Sequence, residues 1–205
     1  MGNLSFLSGL CLTTDETAMR QVKSRGDQAA FRRLVKRWEK PILRLCMRMI
    51  GDVHRAEDLK QEAFARIFVR RKDFREGCRF STWLWRITLN LCYDELRKRD
   101  RRGEYCVEDI SQLLEAENSG SEQPAPNELA AANEESEIVR WALLQLSEKH
   151  RAAVVLRYCE GLKLCQVAEI LEIPTTTAAS RIAVALSQLG RVLGPKMQDR
   201  PQDSI

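Results

Sequence analysis

The sequence predicts an all-α protein: two small helical domains joined by a flexible acidic linker, the second domain containing a helix-turn-helix. Three observations predict it. Apolar residues recur with a 3.6-residue period along most of the chain, and strand-type alternation never survives more than a few residues. That periodicity lapses from Glu104 to Ser136, where Gly, Ser, Pro124 and Pro126 sit among unopposed acids. Hydrophobic residues make up 44% of the 205, enough for packed cores on both sides of the lapse.

Residues 1–14 read as an N-terminal tail. Asn3 to Leu12 are apolar but lack a basic start and are too short to span a bilayer. Gly2 is followed by Phe6 where an acylation signal wants Ser or Thr. A first helix is expected from Asp15 to Arg25-Gly26, with Asp27 then capping a second. The second carries Phe31, Leu34, Val35, Trp38, Ile42, Leu45 and Met49 as one stripe, with Pro41 inside it to bend it or remove a bond. Gly51-Asp52 closes that helix and opens a third, whose apolar face is Ala56, Leu59, Ala63 and Ile67. A loop from Asp73 to Arg79 leads into a long helix beginning at Phe80. Residues 15–103 form the first domain and 104–136 the linker. In the second domain, residues 137–193, a helix carries Ile138, Trp141, Leu144 and Leu146. Ser147 is expected to cap the next helix, which ends at Glu160-Gly161. Leu164 to Leu171, a break at Glu172-Ile173-Pro174, and a helix from Thr175 bearing Ala178, Ile182, Ala185, Leu189 and Val192 have helix-turn-helix proportions. Ala168 is small where the helices cross, and Ile173 can plug the core. Residues 194–205 read as a C-terminal tail.

The net charge of +4 conceals three blocks. Arg20 to Gly103 holds 24 Lys/Arg against 11 Asp/Glu, whereas Glu104 to Glu137 holds 10 acids and no base. The remainder is weakly basic. Such asymmetry points to nucleic acid. The seven cysteines are odd in number, irregularly spaced and without a CxxC, and there are only two histidines. This argues against a disulfide framework or a zinc site and for small core residues of a reduced cytoplasmic protein. No cofactor is expected.

The segment Phe80 to Arg102 starts aromatic and ends basic. Aromatic faces stack on unpaired bases, and clustered Arg and Lys neutralise phosphates. Trp83, Leu84, Ile87 and Leu91 also suit a core. Arg86, Asn90, Tyr93 and Arg97, however, recur at helical spacing and share one side, a stripe of amide, phenol and guanidinium fit for bases and backbone. Asp58, Gln61 and Glu62 make an acidic-polar stripe inside the basic block. They cannot be meant for DNA, so a protein partner is expected there.

Taken together, the order of motifs resembles the extracytoplasmic-function sigma factors of bacterial RNA polymerase. Asp58-Leu59-Lys60-Gln61-Glu62-Ala63-Phe64-Ala65-Arg66-Ile67-Phe68, Phe80-Ser81-Thr82-Trp83-Leu84-Trp85-Arg86-Ile87, Asn90, Asp94 and Leu96-Arg97-Lys98-Arg99 are similar to the sigma-two domain. Leu146, His150-Arg151, Leu156-Arg157-Tyr158, Glu160-Gly161-Leu162, Val167 to Leu171, Ile173-Pro174 and Ser180-Arg181 are similar to the sigma-four domain.

The resemblance implies a non-catalytic specificity subunit. Its partners would be core RNA polymerase, promoter DNA as duplex and melted strand, and an anti-sigma protein. Asp58, Gln61, Glu62 and Arg66 would meet the clamp helices of the largest polymerase subunit. The loop carrying Arg75 and Arg79, with Phe80, Trp83, Arg86 and Asn90, would engage the minus-ten element and its flipped non-template base. Arg97, Lys98, Arg99, Arg101 and Arg102 would hold nearby phosphates. The last helix would read the minus-thirty-five element through Thr175, Thr176, Thr177, Ser180 and Arg181. The linker would thread a basic channel of the polymerase. This chain departs from the family pattern in that helix: Arg181 is its lone cation from Thr175 to Gln188, and Val184 and Leu186 stand where relatives usually have Arg.

Two rival readings make other demands. A polymerase-independent helix-turn-helix regulator leaves Asp58, Gln61 and Glu62 without a role. A helical adaptor with an acidic hinge leaves the strand-binding stripe without one. An enzyme is disfavoured, since the histidines lie in different halves and no phosphate-cradling glycine loop exists.

Overall fold

The computed structural model describes residues 14–75, 77–102 and 137–198, and every regular element among them is helical. The expectations for residues 1–13, the linker, residues 199–205, Cys11 and Cys106 lie outside the described residues; residues 194–198, expected in the C-terminal tail, continue the last helix.

Local chemistry sets the helix ends. α1 (Asp15–Arg25) starts where Thr14 Oγ1 accepts from the Thr17 N–H at 3.3 Å. Acids fill its first turn and bases its last, matching the helix dipole. Gly26 ends it at φ 64°, a left-handed conformation natural to glycine. The Asp27 carboxylate then accepts from the Ala29 and Ala30 N–H groups at 2.8 and 3.0 Å, opening α2 (Gln28–Ile50). α2 continues through Pro41. It ends at Gly51, and Asp52 caps α3 (Val53–Val69) through the Arg55 N–H at 2.8 Å. A single 3-10 turn, Arg71–Asp73, leads toward α4 (Phe80–Arg102). The Glu16 carboxylate of α1 accepts from the Phe80 N–H at 3.2 Å, so one helix supplies the start of another.

Beyond the linker come α5 (residues 137–144), α6 (Glu148–Val154), α7 (Leu164–Leu171) and α8 (Thr175–Gln198). Ser147 does stand before α6, but its hydroxyl makes no cap; it pairs with His150 Nδ1 at 3.1 Å. The sequence rule fails here because the nearby imidazole competes for the hydroxyl. α6 passes into one π turn, Val155–Cys159, in which the Glu160 N–H reaches back to the Val155 carbonyl. Gln166 Oε1 accepts from the Lys163 N–H at 2.9 Å and closes the start of α7.

The first unit buries Met19, Leu34, Ile42, Leu45, Leu59, Ile67, Phe80, Leu84 and Leu89. Each fully buried aliphatic side chain contributes about 2 kcal/mol. Trp38 packs edge-on against both Phe80 and Trp85 and donates its indole N–H to Asp15 at 3.0 Å, which ties α1, α2 and α4 together. The second unit buries Leu143, Leu146, Val155, Leu156, Val167, Ile170, Ala178 and Ala185. Of the cysteines, Cys46 and Cys92 are core residues; the hydrogen bond between them, then burial, pushes the Cys92 thiol up, so it stays protonated. Cys78 and Cys165 are exposed, against the expectation of core positions for most cysteines. Cys165 lies on the outer side of a short amphipathic helix, which a composition-based reading does not distinguish.

The two units pack directly on each other. Arg151 of α6 is buried, and its guanidinium donates to the carbonyls of Leu143 at 3.0 Å, Leu144 at 2.8 Å and Leu146 at 3.0 Å. A further N–H meets the Met49 carbonyl near the end of α2, in the other unit. One cation thereby supplies donors to carbonyls at two helix ends. Burial pulls its pKa down to about 10, which leaves it charged at neutral pH. Beside it, Gly51 has φ 77°, and a Cβ there would lie 2.7 Å from Leu144 Cδ1. Glycine is favoured by the backbone conformation, and a Cβ would also make the end of the Leu144 side chain shift. Arg48 bridges the units again, 3.1 Å from Glu160, whose pKa burial raises despite that partner.

Arg151→Ala leaves four carbonyls without their buried donor and is expected to cost about 3 kcal/mol, with little recovery by Arg151→Lys. Urea unfolding followed by circular dichroism measures this; a loss under 1 kcal/mol refutes the assignment.

Candidate nucleic-acid interface

Burial divides the basic block into surfaces. On α3, Asp58 and Gln61 are exposed and Glu62 half-exposed, pointing outward from the face that buries Leu59 and Ala63. Asp58 lies 3.2 Å from Arg55, and Glu62 lies 2.6 Å from Arg66. Exposed pairs of this kind are worth under about 1 kcal/mol, so they leave the carboxylates open to exchange.

The loop before α4 borders a cavity of about 430 Å³ lined by Glu16, Arg20, Phe74, Gly77, Cys78 and Arg79. Phe74 forms its apolar floor and is buried, while Arg75, Cys78 and Arg79 are exposed around it. Lys23 fastens the Phe74 carbonyl at 2.6 Å. Phe80 is fully buried against Phe74 and Trp38, so it shapes the loop from beneath and offers no surface to a ligand. Trp83 is half-buried, tilted against Phe74 at 5.4 Å. Glu16 and Arg20 were not foreseen here. They come from α1, more than fifty residues away in sequence, and no local signal marks them.

α4 has two sides. Leu84, Trp85, Leu89 and Leu91 enter the core, while Arg86, Asn90, Tyr93 and Arg97 line one cleft. This cleft, about 190 Å³, is closed on its far side by Glu148, Lys149, Glu172, Ile173 and Arg181 of the second unit. Asn90 and Arg97 are exposed at its edge, and Arg97 pairs with Asp94 at 3.5 Å. Tyr93 is half-buried; burial and then the Glu148 charge push its pKa up to about 12. Arg86 is occupied: it lies 2.8 Å from Glu172 and donates to the Glu169 carbonyl at 2.8 Å.

The basic tail of α4 is mixed in role. Lys98, Arg101 and Arg102 are exposed. Arg99 folds inward, 3.1 Å from Asp52 and 3.7 Å from Glu95, with a bond to the Ile50 carbonyl. Glu95 is buried and also meets Arg55 at 2.7 Å. The Arg55 hydrogen bond, aided by Arg99 and Lys98, holds its carboxyl below the ordinary 4.5. Glu95 thus joins the α3 start to the α4 end, a role its sequence position did not reveal.

On α8, Thr175, Thr176 and Ser180 are exposed and Thr177 half-buried. Arg181 turns toward the cleft instead of the outer face. Ala179, Ala183, Val184 and Leu186 are exposed among them, so up to Leu186 the remaining exposed surface is small or apolar; Gln188 and Arg191 are exposed further along.

The chain matches two family models, Sigma-70 region 2 over residues 34–102 and Sigma-70 region 4 over residues 136–189. It is 37% identical to the ECF RNA polymerase sigma factor SigW of Bacillus subtilis over 175 residues, covering 80% of this chain and 88% of that one. It is 32% identical to the ECF RNA polymerase sigma-E factor of Escherichia coli, covering 89% and 95% respectively. A solved structure of CnrH in complex with the cytosolic domain of CnrY is 25% identical, with a TM-score of 0.64 over 88% of this chain and 97% of that one. The sigma factor RpoE of Bartonella quintana, solved with the anti-sigma factor NepR, shares the fold at 22% identity and a TM-score of 0.61, over 83% of this chain and 98% of that one.

Glu95→Gln removes a charge from between two guanidiniums and is expected to cost about 2 kcal/mol at pH 7. Because the folded-state pKa is depressed, the contribution is present above pH 4.5 and is lost as pH falls through the lower folded value, where the unfolded chain takes up the proton first. The gap between wild type and variant in urea melts should therefore narrow below pH 4.5; a pH-independent gap contradicts the ion-pair account.

Proposed function

The chain belongs to the extracytoplasmic-function sigma factors, and we propose that it binds core RNA polymerase, directs it to particular promoters and helps open the DNA. The observation that carries this reading is the ordered pair of family matches, region 2 on the aromatic-basic unit and region 4 on the helix-turn-helix unit. A polymerase-independent regulator would have no use for the first of them.

The chain's own residues divide the work. Asp58, Gln61, Glu62 and Arg66 present an exchangeable acidic-polar stripe for the polymerase. The cavity lined by Arg79, with Arg75 exposed beside it, takes up an extruded non-template base of the minus-ten element, and Asn90, on the separate cleft along α4, contacts the same strand. Opening a duplex costs about 1.4 kcal/mol per base-pair step. A pocket that accepts only an unpaired base offsets part of that, and Arg97, Lys98, Arg101 and Arg102 add phosphate contacts. Arg99 supports α4 from within, and Phe80 and Trp83 set the loop. On α8, Thr175, Thr176, Thr177 and Ser180 supply hydrogen bonds to the minus-thirty-five element. With Val184 and Leu186 where cations would neutralise phosphate, upstream binding is weak and its slope against salt shallow. The protein catalyses nothing itself, acts in the cytoplasm at the nucleoid, and is held in check by an anti-sigma protein.

Transcription with purified core enzyme on a genomic library, with start sites mapped, tests the reading. The wild type should yield discrete start sites absent from core alone; none at any concentration refutes it. Asp58→Arg with Glu62→Arg should abolish co-purification with core while leaving the circular dichroism melt unchanged. Asn90→Ala should slow promoter opening about tenfold with core affinity intact, a split that distinguishes a DNA contact from a folding defect.

A further inference from the structure

One face of α1 builds a wall of the cavity that precedes α4. Glu16, Arg20 and Lys23 are four and three residues apart, so they share a side of that helix. Lys23 grips the front of the loop, donating to the Phe74 carbonyl at 2.6 Å. Glu16 grips its back, where Oε1 accepts from the Phe80 N–H at 3.2 Å. Glu16 and Arg20 also line the cavity, together with the buried Phe74 and with Gly77, Cys78 and Arg79. Its volume of about 430 Å³ falls within the roughly 300–1,000 Å³ of small-ligand sites. α1 ends before residue 34, where the match to Sigma-70 region 2 begins, so this wall lies outside the matched span.

A carboxylate is an odd lining for a nucleotide cavity. It repels phosphate, and it accepts hydrogen bonds without donating any. Arg20 and Arg79 suit the phosphates of any sequence; Glu16 suits only a donor. The bond to the Phe80 N–H uses Oε1 and leaves Oε2 to accept from a ligand. That bond also holds the carboxylate in place beforehand, so little side-chain freedom is lost on binding. The side chains of Gly77, Cys78 and Arg79 include no strong acceptor. Among the described lining side chains, the acceptor therefore comes from α1. Donors on a base are few. Cytosine, adenine and guanine each carry an exocyclic amine. Thymine has none, and its single ring N–H is flanked by two carbonyl oxygens that repel a carboxylate.

We propose that Glu16 sets the base specificity of the cavity: it accepts from the exocyclic amine of the extruded base and rejects thymine, while Arg20 holds the adjoining phosphate whatever the sequence. This rests on the sigma-factor reading and deepens it, naming the helix that reads the base and the class of base it reads.

The test uses holoenzyme, core polymerase carrying the full-length wild type, Glu16→Gln or Arg20→Ala. The template is a promoter recovered by start-site mapping, with its minus-ten region randomised and a barcode in each transcript to report its template. Glutamine keeps an oxygen for the Phe80 N–H but turns an amide donor toward the base. In the wild type, one position should disfavour thymine about tenfold against a base with an amine. Glu16→Gln should bring thymine to within about twofold at that position and leave the others as they were. Arg20→Ala should lower output on all templates alike and reduce the dependence on salt. A second measurement keeps the protein unaltered: the favoured base is replaced by its analogue without the amine, 2-pyrimidinone, purine or hypoxanthine. That replacement should cost the wild type about tenfold and Glu16→Gln little. Unchanged selectivity in Glu16→Gln, or full activity of the wild type on the analogue, overturns the proposal and leaves Glu16 as a cap on α4. Selectivity lost at every position together marks a distorted loop and overturns it too. Initiation by the wild type with no position that disfavours thymine refutes this inference alone; no initiation on any template refutes the sigma-factor reading beneath it.

Discussion

The fold depends on one buried guanidinium. Helices end with carbonyls that have no partner, and two such ends, those of α2 and α5, meet at the junction between the units. Arg151 carries five donors in a rigid fork and reaches the carbonyls of Met49, Leu143, Leu144 and Leu146. An uncharged or single-headed side chain could not cover both ends. Gly51 lies at the same junction, with the Leu144 side chain over the space a Cβ would fill. Everything on the cleft, from Tyr93 to Glu148, inherits its spacing from this seam.

The long basic helix shows how burial sorts chemically similar residues. Arg97 and Arg99 are two positions apart, so they point to different sides of α4. Arg97 stays in solvent, while Arg99 turns in toward Asp52 and Glu95. Glu95, an acid in a run of bases, is held ionised by Arg55 and so fixes the α3–α4 angle. Since α3 carries the acidic stripe and α4 the stripe of Arg86, Asn90, Tyr93 and Arg97, that angle sets how the two stripes are presented together.

The helix-turn-helix is economical in charge. Its outer face offers threonine, serine and small apolar groups, which suit thymine methyls and single hydrogen bonds better than phosphates. Its one early cation lies against the neighbouring unit. A chain of this kind gains more from being delivered to DNA by a partner than from binding duplex by itself.

The sequence by itself determined the helical class, most helix ends and the family. Those features rest on local rules: period 3.6, the Asp27 and Asp52 caps, the left-handed glycines at 26 and 51, and motif order. It also marked the polar stripe of α4 and the acidic stripe of α3, because residues three or four apart must share a side. It did not mark Ser147 as an uncapped position, the exposed Cys165, the buried Phe80, the inward-turned Arg99, or Glu16 and Arg20 beside the loop. Only the tertiary structure decided those, since each depends on a partner far away in the chain. The packing of one unit against the other was invisible for the same reason: its contacts, Arg48 to Glu160, Arg86 to Glu172 and Arg151 to Met49, span roughly a hundred residues and leave no periodic trace.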